Sequence, residues 1–316
     1  LYEQISANKW KSLLMVFIFV VFVLGIGYVI GRVWGGPNGW YLGIVIAFVI
    51  ALVMGLVSYY QSDKVALRIS GAHPIDDSQE YIRYRNTVEG LAIAAGVPVP
   101  GMYVIESPAM NAFATGRNPQ HSSIAVTRGL LEYMNDQELE GVVGHEMSHI
   151  KNYDILLMSL TVVLVGTVIL LSDIFLRTLW FGDSDREGGD AGIILLVIGI
   201  VLAILAPIIA QLIKLAISRR REFLADANGA LLTRYPPGLA SALTKLQGDT
   251  KQLRFANKAT AHMFIAQPLK TKSGERGSAF NRMFDTHPPI EERIRRLEQM
   301  AGDFTPTQPG AVPAGQ

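Results

Sequence analysis

Four stretches of the chain carry no Asp, Glu, Lys or Arg: Ser12–Gly31, Trp40–Tyr60, Ile155–Ser172 and Ala191–Ile213. Each is close to the roughly 20 residues a helix needs to cross a bilayer core, and the cost of inserting charge accounts for the gaps. They predict four membrane spans in two hairpins, the third with room to extend through Asp173 into Ile174–Phe181. The first follows Lys9 and Lys11, as a signal peptide would. Its apolar run exceeds the usual ~7–15 residues, and Arg32-Val33-Trp34 follows instead of a small-residue cleavage site, so it reads as a signal anchor.

Between the spans the periodicity changes. Asp76–Ala95 sets Tyr81, Tyr84, Val88, Leu91 and Ala95 at helical spacing and stops at Gly96-Val97-Pro98. Short strand-like runs follow at Met102–Glu106, Asn111–Thr115 and Ser122–Thr127. Asn135-Asp136-Gln137-Glu138 reads as a capping box opening a helix that continues with little interruption into the third span. Arg219–Leu232, Gly238–Leu246 and Ile290–Met300 predict further helices, Lys270–Ser278 a mobile loop, and Gly302–Gln316 a disordered Pro-rich tail. The expected architecture is α+β, mainly α-helical, in an integral membrane protein with four transmembrane helices. An N-terminal segment and hairpin fill residues 1–60. One soluble domain with a small β-sheet is assembled from residues 61–154 and 214–301, and the second hairpin, residues 155–213, interrupts it.

Composition narrows the chemistry. Charged residues make up only 17% of the 316 positions, but outside the four spans they return to about a quarter, the soluble norm. A net charge of +1 and the lack of a basic tract with interleaved aromatics argue against nucleic acid as a partner. The absence of cysteine excludes disulfides and thiolate metal sites, so any metal is held by His, Asp or Glu. Lys9, Lys11, Lys64, Arg68, Lys214 and Arg219–Arg221 flank the spans on one side, whereas the loop after the third span is acidic. Both termini and both pieces of the soluble domain are therefore expected in the cytoplasm, in a multi-pass protein of the plasma or inner membrane.

The sharpest motif is His145-Glu146-Met147-Ser148-His149. On a helix its two imidazoles stand one turn apart on one face and can reach one metal, preferably Zn2+ at one per chain, with Glu146 beside them as general base. The span beginning at Ile155 leaves no place for an extended HExxHxxGxxH pattern. The best candidate for the third ligand is Glu222, just beyond the fourth span as His149 lies just before the third; the alternative is that Glu222 and Asp226 only offset Arg219–Arg221. Asp226, four residues on, shares its helix face and is suited to hold the second ring nitrogen of a ligating His. His73, His121 and His262 have no partner at ligand spacing.

Gly144-His145-Glu146-Met147-Ser148-His149, Arg220-Arg221-Glu222-Phe223-Leu224-Ala225-Asp226, Asn111-Ala112-Phe113-Ala114-Thr115-Gly116 and Thr286-His287-Pro288-Pro289 with Glu292-Arg293-Ile294 together resemble the HtpX-type membrane metalloproteases, in the wider group that includes the CaaX prenyl endopeptidases. The resemblance implies a zincin-like domain facing the cytoplasm that hydrolyses peptide bonds of misfolded or damaged membrane proteins, or of unfolded polypeptides, in stress response and quality control. It also implies that Asn111, Ala112 and Phe113 lie by the cleft and hold extended substrate, and that His287 and Arg293 sit near the site, where either would stabilise a developing oxyanion or only support the terminal helix. Two readings stand against this one: a CaaX-type prenyl endopeptidase, and a non-catalytic membrane scaffold with a structural metal closed by four ligands. Leu1–Trp10 is longer than in the best-known bacterial members, and the Pro-rich tail is not a family feature.

Overall fold

The structure is a computed structural model describing residues 2–34, 38–181, 218–251, 253, 260–266 and 288–304. The first two apolar runs form helices α1 (Tyr2–Trp34) and α2 (Gly39–Ile69). They close as an antiparallel hairpin in which Gly27 meets Gly43 and Ala47, and Gly31 meets Gly39, backbone to backbone. The outer face of α2 exposes Leu42, Val45, Phe48 and Val49, as a lipid-facing surface does. The helix also outruns its uncharged stretch, continuing through Asp63, Lys64 and Arg68 to Ile69.

A four-stranded mixed sheet follows, in the order β1-β2-β4-β3, from β1 (Ala72–Pro74), β2 (Gly101–Ile105), β3 (Ala112–Asn118) and β4 (His121–Thr127). Strands β2 and β4 are parallel and the other pairs antiparallel, which leaves β3 as an edge. Helix α3 (Ile82–Ala95) precedes β2. It ends at Gly96 in the left-handed conformation (φ 69°), where Val97 N donates to Ala92 O at 3.1 Å. Short helix α4 (Arg128–Tyr133) then leads to α5 (Asp136–Lys151). The capping box is present: Glu138 N donates to Asn135 Oδ1 and Asn135 N to Glu138 Oε2, both at 2.9 Å.

Helix α5 is the centre of the domain, with every residue from Gly141 to Ile150 buried. Leu139, Val142, Val143, Met147 and Ile150 pack with α3, the sheet and the later helices. The expected run with little interruption into the third span is present along the chain but not in direction. The chain breaks at Asn152-Tyr153, with Tyr153 at φ 60°, and α6 (Asp154–Phe181) leaves at 84° to α5. The bend keeps the polar motif of α5 in the soluble core while Leu156, Leu157, Leu160 and Leu164 of α6 pack on Met15, Phe19 and Phe22 of α1.

Among the described residues two helices are long and apolar enough to cross a membrane, Ile5–Tyr28 and Gly39–Ile69, with a third if α5 and the start of α6 count as one bent span. The expected fourth span, 191–213, lies outside the described residues, as do the loop 270–278 and residues 305–316. Beyond them come α7 (Arg219–Thr233), α8 (Pro236–Gly248), whose two prolines open the helix, and α9 (Ile290–Phe304), which carries helix into the segment expected to be tail from Gly302.

Candidate metal centre

Helix α7 crosses α5 at Gly144 and Gly229. A Cβ on Gly229 would stand 2.8 Å from His145 N, so only glycine permits this approach. Two turns back along α7, Glu222 is thereby held against the histidine pair. His145 Nε2 and His149 Nε2 are 3.2 Å apart, and the carboxylate of Glu222 stands 3.9 Å from the first and 3.6 Å from the second. All three side chains are buried. Ligands about 2.0–2.1 Å from a tetrahedral zinc lie about 3.3 Å from one another; the histidine pair matches that separation, and the Glu222 oxygens stand somewhat further out.

The outer ring nitrogens are held by carboxylates. His145 Nδ1 is 2.9 Å from Asp226 Oδ1, and His149 Nδ1 is 3.0 Å from Asp154 Oδ2. With Nδ1–H donated outward, each Nε2 is left as an acceptor pointing at the common centre. Asp154 was not singled out in the sequence. Its only local signal is an acidic residue five positions after His149, at the start of an apolar run.

Arg293 stands behind Asp226 and is fully buried. Its Nε and Nη2 donate to the two Asp226 oxygens at 2.8 and 2.7 Å, and its Nη1 donates to Ile265 O at 3.0 Å. Asp226 accordingly keeps a lowered pKa: burial would raise it, but the adjacent guanidinium and the His145 bond outweigh burial. The imidazoles are driven apart. Burial, with Arg293 and His149 nearby, lowers His145 to about 4 despite Asp226. Burial also opposes charge on His149, but its bond to Asp154 and the field of Glu222 raise it to about 9.

Both carboxylate oxygens of Glu146 are buried with no hydrogen-bond partner among the described residues. Burial, reinforced by Glu222, pushes its pKa up to about 7. Edge strand β3 passes this residue. Asn111 O accepts from Thr127 N, so the alternation of an antiparallel ladder turns the amide edges of residues 112, 114 and 116 away from β4. Ala112 O is taken by Ile265 N at 3.0 Å, and Gly116 N by Ser159 Oγ at 3.1 Å. The Asn111 side chain donates to Ala266 O and accepts from the Ala266 and Ala112 amides, and Phe113 packs edge-on to Phe264. Between these two anchors the outward edge at Ala114 faces the Glu146 carboxylate, whose pKa the Ala114 backbone amide lowers against burial. His287 lies outside the described residues. His73 pairs with Glu106, His121 with Asn118, and His262 with Met158 O, all away from the centre.

Two imidazoles and a glutamate closing on one point, with a second, unpaired carboxylate beside them, define a metallopeptidase of the HExxH kind, here joined to apolar helices. The model of peptidase family M48 matches residues 78–301, and the chain belongs to that family. It is 46% identical over 304 residues to a protein described as "Protease HtpX homolog" from Caldanaerobacter subterraneus subsp. tengcongensis, covering 95% of this chain and 98% of the relative. The protein of that description from Tropheryma whipplei (strain Twist) is 45% identical over 307 residues, covering 96% and 100%. A crystal structure of S. mikatae Ste24p aligns with a TM-score of 0.47 at 19% identity, over 94% of this chain and 67% of that one. The resemblance to HtpX-type membrane-bound metalloproteases is borne out.

Proposed function

We propose that the chain is a zinc-dependent endopeptidase whose metal is held by His145, His149 and Glu222, with Glu146 as the proton-transferring base. The observation that carries this is the convergence of three buried donors beside the buried Glu146 carboxylate, which has no side-chain hydrogen-bond partner among the described residues. A zinc ion in that donor set supplies a water of lowered pKa and polarises the scissile carbonyl. The chain's own groups do the rest. Glu146 takes the proton from the attacking water and returns one to the leaving amine. Asp226 and Asp154 fix the two ring orientations. A substrate segment adds to the β3 edge at Ala114, taking the place of Glu146 at that backbone amide.

Arg293 supports Asp226 in this scheme: three of its N–H donors go to Asp226 and Ile265 O, and its remaining approaches are to His145 and Glu222. Strand addition reads backbone and not side chains, so unfolded polypeptides and exposed segments of membrane proteins suit this site. The basic residues flanking the spans support four spans with the site on the cytoplasmic face. A structural metal would call for a fourth protein ligand, and among the described residues three converge.

The test pairs metal content with cleavage of an unfolded protein substrate, in detergent, for wild type and Glu146→Gln. About one zinc per chain in both, with cleavage by wild type alone, is expected. Cleavage by Glu146→Gln at the wild-type rate overturns the base assignment, and zinc in both with cleavage by neither returns the scaffold reading.

A further inference from the structure

We propose that Asn8, on the first membrane helix, is a positioning residue of the metal centre that acts through Asp154 on His149. The inference rests on the metallopeptidase reading above and adds a residue far from the peptidase motifs. Asn8 is buried, and its Nδ2 donates to Asp154 Oδ1 at 2.7 Å and lies 3.1 Å from Asn152 O. The other oxygen of Asp154 holds His149 Nδ1 at 3.0 Å. A continuous chain of bonds therefore runs from α1 to a metal ligand.

The contacts fall where the backbone most needs them. Asn152, Tyr153 and Asp154 form the 84° break between α5 and α6, and Tyr153 holds a left-handed conformation, φ 60°, that is costly for a bulky residue and persists only where its surroundings enforce it. Asn8 grips the residues on either side of Tyr153, and Lys9 Nζ lies 4.7 Å from the centre of the Tyr153 ring. Arg221 of α7, the residue before Glu222, approaches Asp154 Oδ1 at 3.4 Å. Asp154 thus joins α1 and α7 to α5, and the aim of His149 Nε2 depends on where α1 sits.

The test measures zinc affinity by chelator competition, and the ligand-field spectrum of the cobalt-substituted protein, on the purified full chain in detergent. Asp154→Asn should weaken zinc by about 10–100-fold, the usual effect of removing a direct ligand partner. Asn8→Ala, one bond further out, should weaken it by roughly 3–10-fold and shift the cobalt spectrum. Asn8→Asp, which sets a second carboxylate against Asp154, should be at least as damaging. Ser12→Ala is the control: Ser12 is buried one turn along the same helix, and among the described residues its hydroxyl bonds only the Asn8 carbonyl.

Wild-type affinity in both Asn8 variants, or equal losses in Asn8→Ala and Ser12→Ala, overturns the proposal. If wild type binds no zinc, the metallopeptidase reading itself fails. If Asp154→Asn weakens zinc and the Asn8 variants do not, the centre stands and the coupling to α1 falls.

Discussion

Replacing Arg293 by Met separates support of the centre from action on the substrate. The guanidinium is fully buried and makes two charge-assisted bonds to Asp226 and a third to Ile265 O. Arg293→Met strands a buried carboxylate and a buried carbonyl. Breaking a buried pair from one side costs about 3–5 kcal/mol, and the orphaned carbonyl sets the expectation at the upper end, about 5 kcal/mol. Arg293→Met/Asp226→Leu removes both charges, and apolar replacement of a buried pair is often neutral, so it should recover about 2 kcal/mol or more. Metal affinity should move the other way. The single variant leaves Asp226 on His145, whereas the double variant removes it and should weaken zinc by a further 10-fold or so.

Stability is best read on the metal-free protein by hydrogen exchange at α5 amides. Tryptophan fluorescence would report elsewhere, because Trp10, Trp34, Trp40 and Trp180 all sit on α1, α2 and α6. Unchanged exchange in Arg293→Met, or a double variant no more protected than the single, would refute the reasoning. A loss of about 10²–10³ in kcat at full protection would instead make Arg293 a donor to the transition state.

The pH dependence of the metal-free protein should expose Glu146. Its folded pKa is raised to about 7 from 4.5, so stability falls as pH rises through that window, and Glu146→Gln should exceed wild type by about 3 kcal/mol near pH 8 while matching it near pH 4. Equal melting of the two proteins at both pH values would contradict the buried, unpaired carboxylate. Gly229→Ala inserts a methyl 2.8 Å from His145 N, and should cost about 1–3 kcal/mol and weaken zinc by pushing Glu222 off the histidine pair. Unchanged chelator competition in that variant would mean the helix crossing does not set the ligand geometry. Asn135→Ala should lose about 1 kcal/mol from the start of α5 with zinc affinity unchanged, as measured by thermal unfolding beside a zinc titration.

What could be read in advance divides along a physical line. Helix α5 was legible because two local signals coincide in it, a capping box and two histidines one turn apart, and both are properties of a single helix. Glu222 and Asp226 were legible because their separation of four residues is again helical, and because the chain returns from the second apolar hairpin just before them. Asp154 was not, since an acidic residue at the head of an apolar helix looks the same whether it caps that helix or holds a ligand. The 84° break decides between these roles, and its supports on α1 lie 144 and 146 residues away. Gly144 and Gly229 read as weak points in their helices, and their use appears only where the helices cross. Asn111 is placed by resemblance at the cleft, and its side chain ties β3 to Ala266, 155 residues on, a contact no local pattern announces.

These misses share a cause that bears on how the centre works. A buried helix carrying two histidines and an unpaired glutamate is unfavourable by itself, because each polar group has left water without a local partner. Its compensation comes from α7, which brings Glu222 and Asp226, from α9, which brings Arg293, and from α1, which brings Asn8. None of these elements adjoins α5 in sequence. The donors therefore converge only when all of them are docked, including a helix apolar enough to lie in a membrane. Metal binding should stabilise the assembled domain and be lost with any one of its supports, so affinity for zinc is itself a measure of whether α1 is in place.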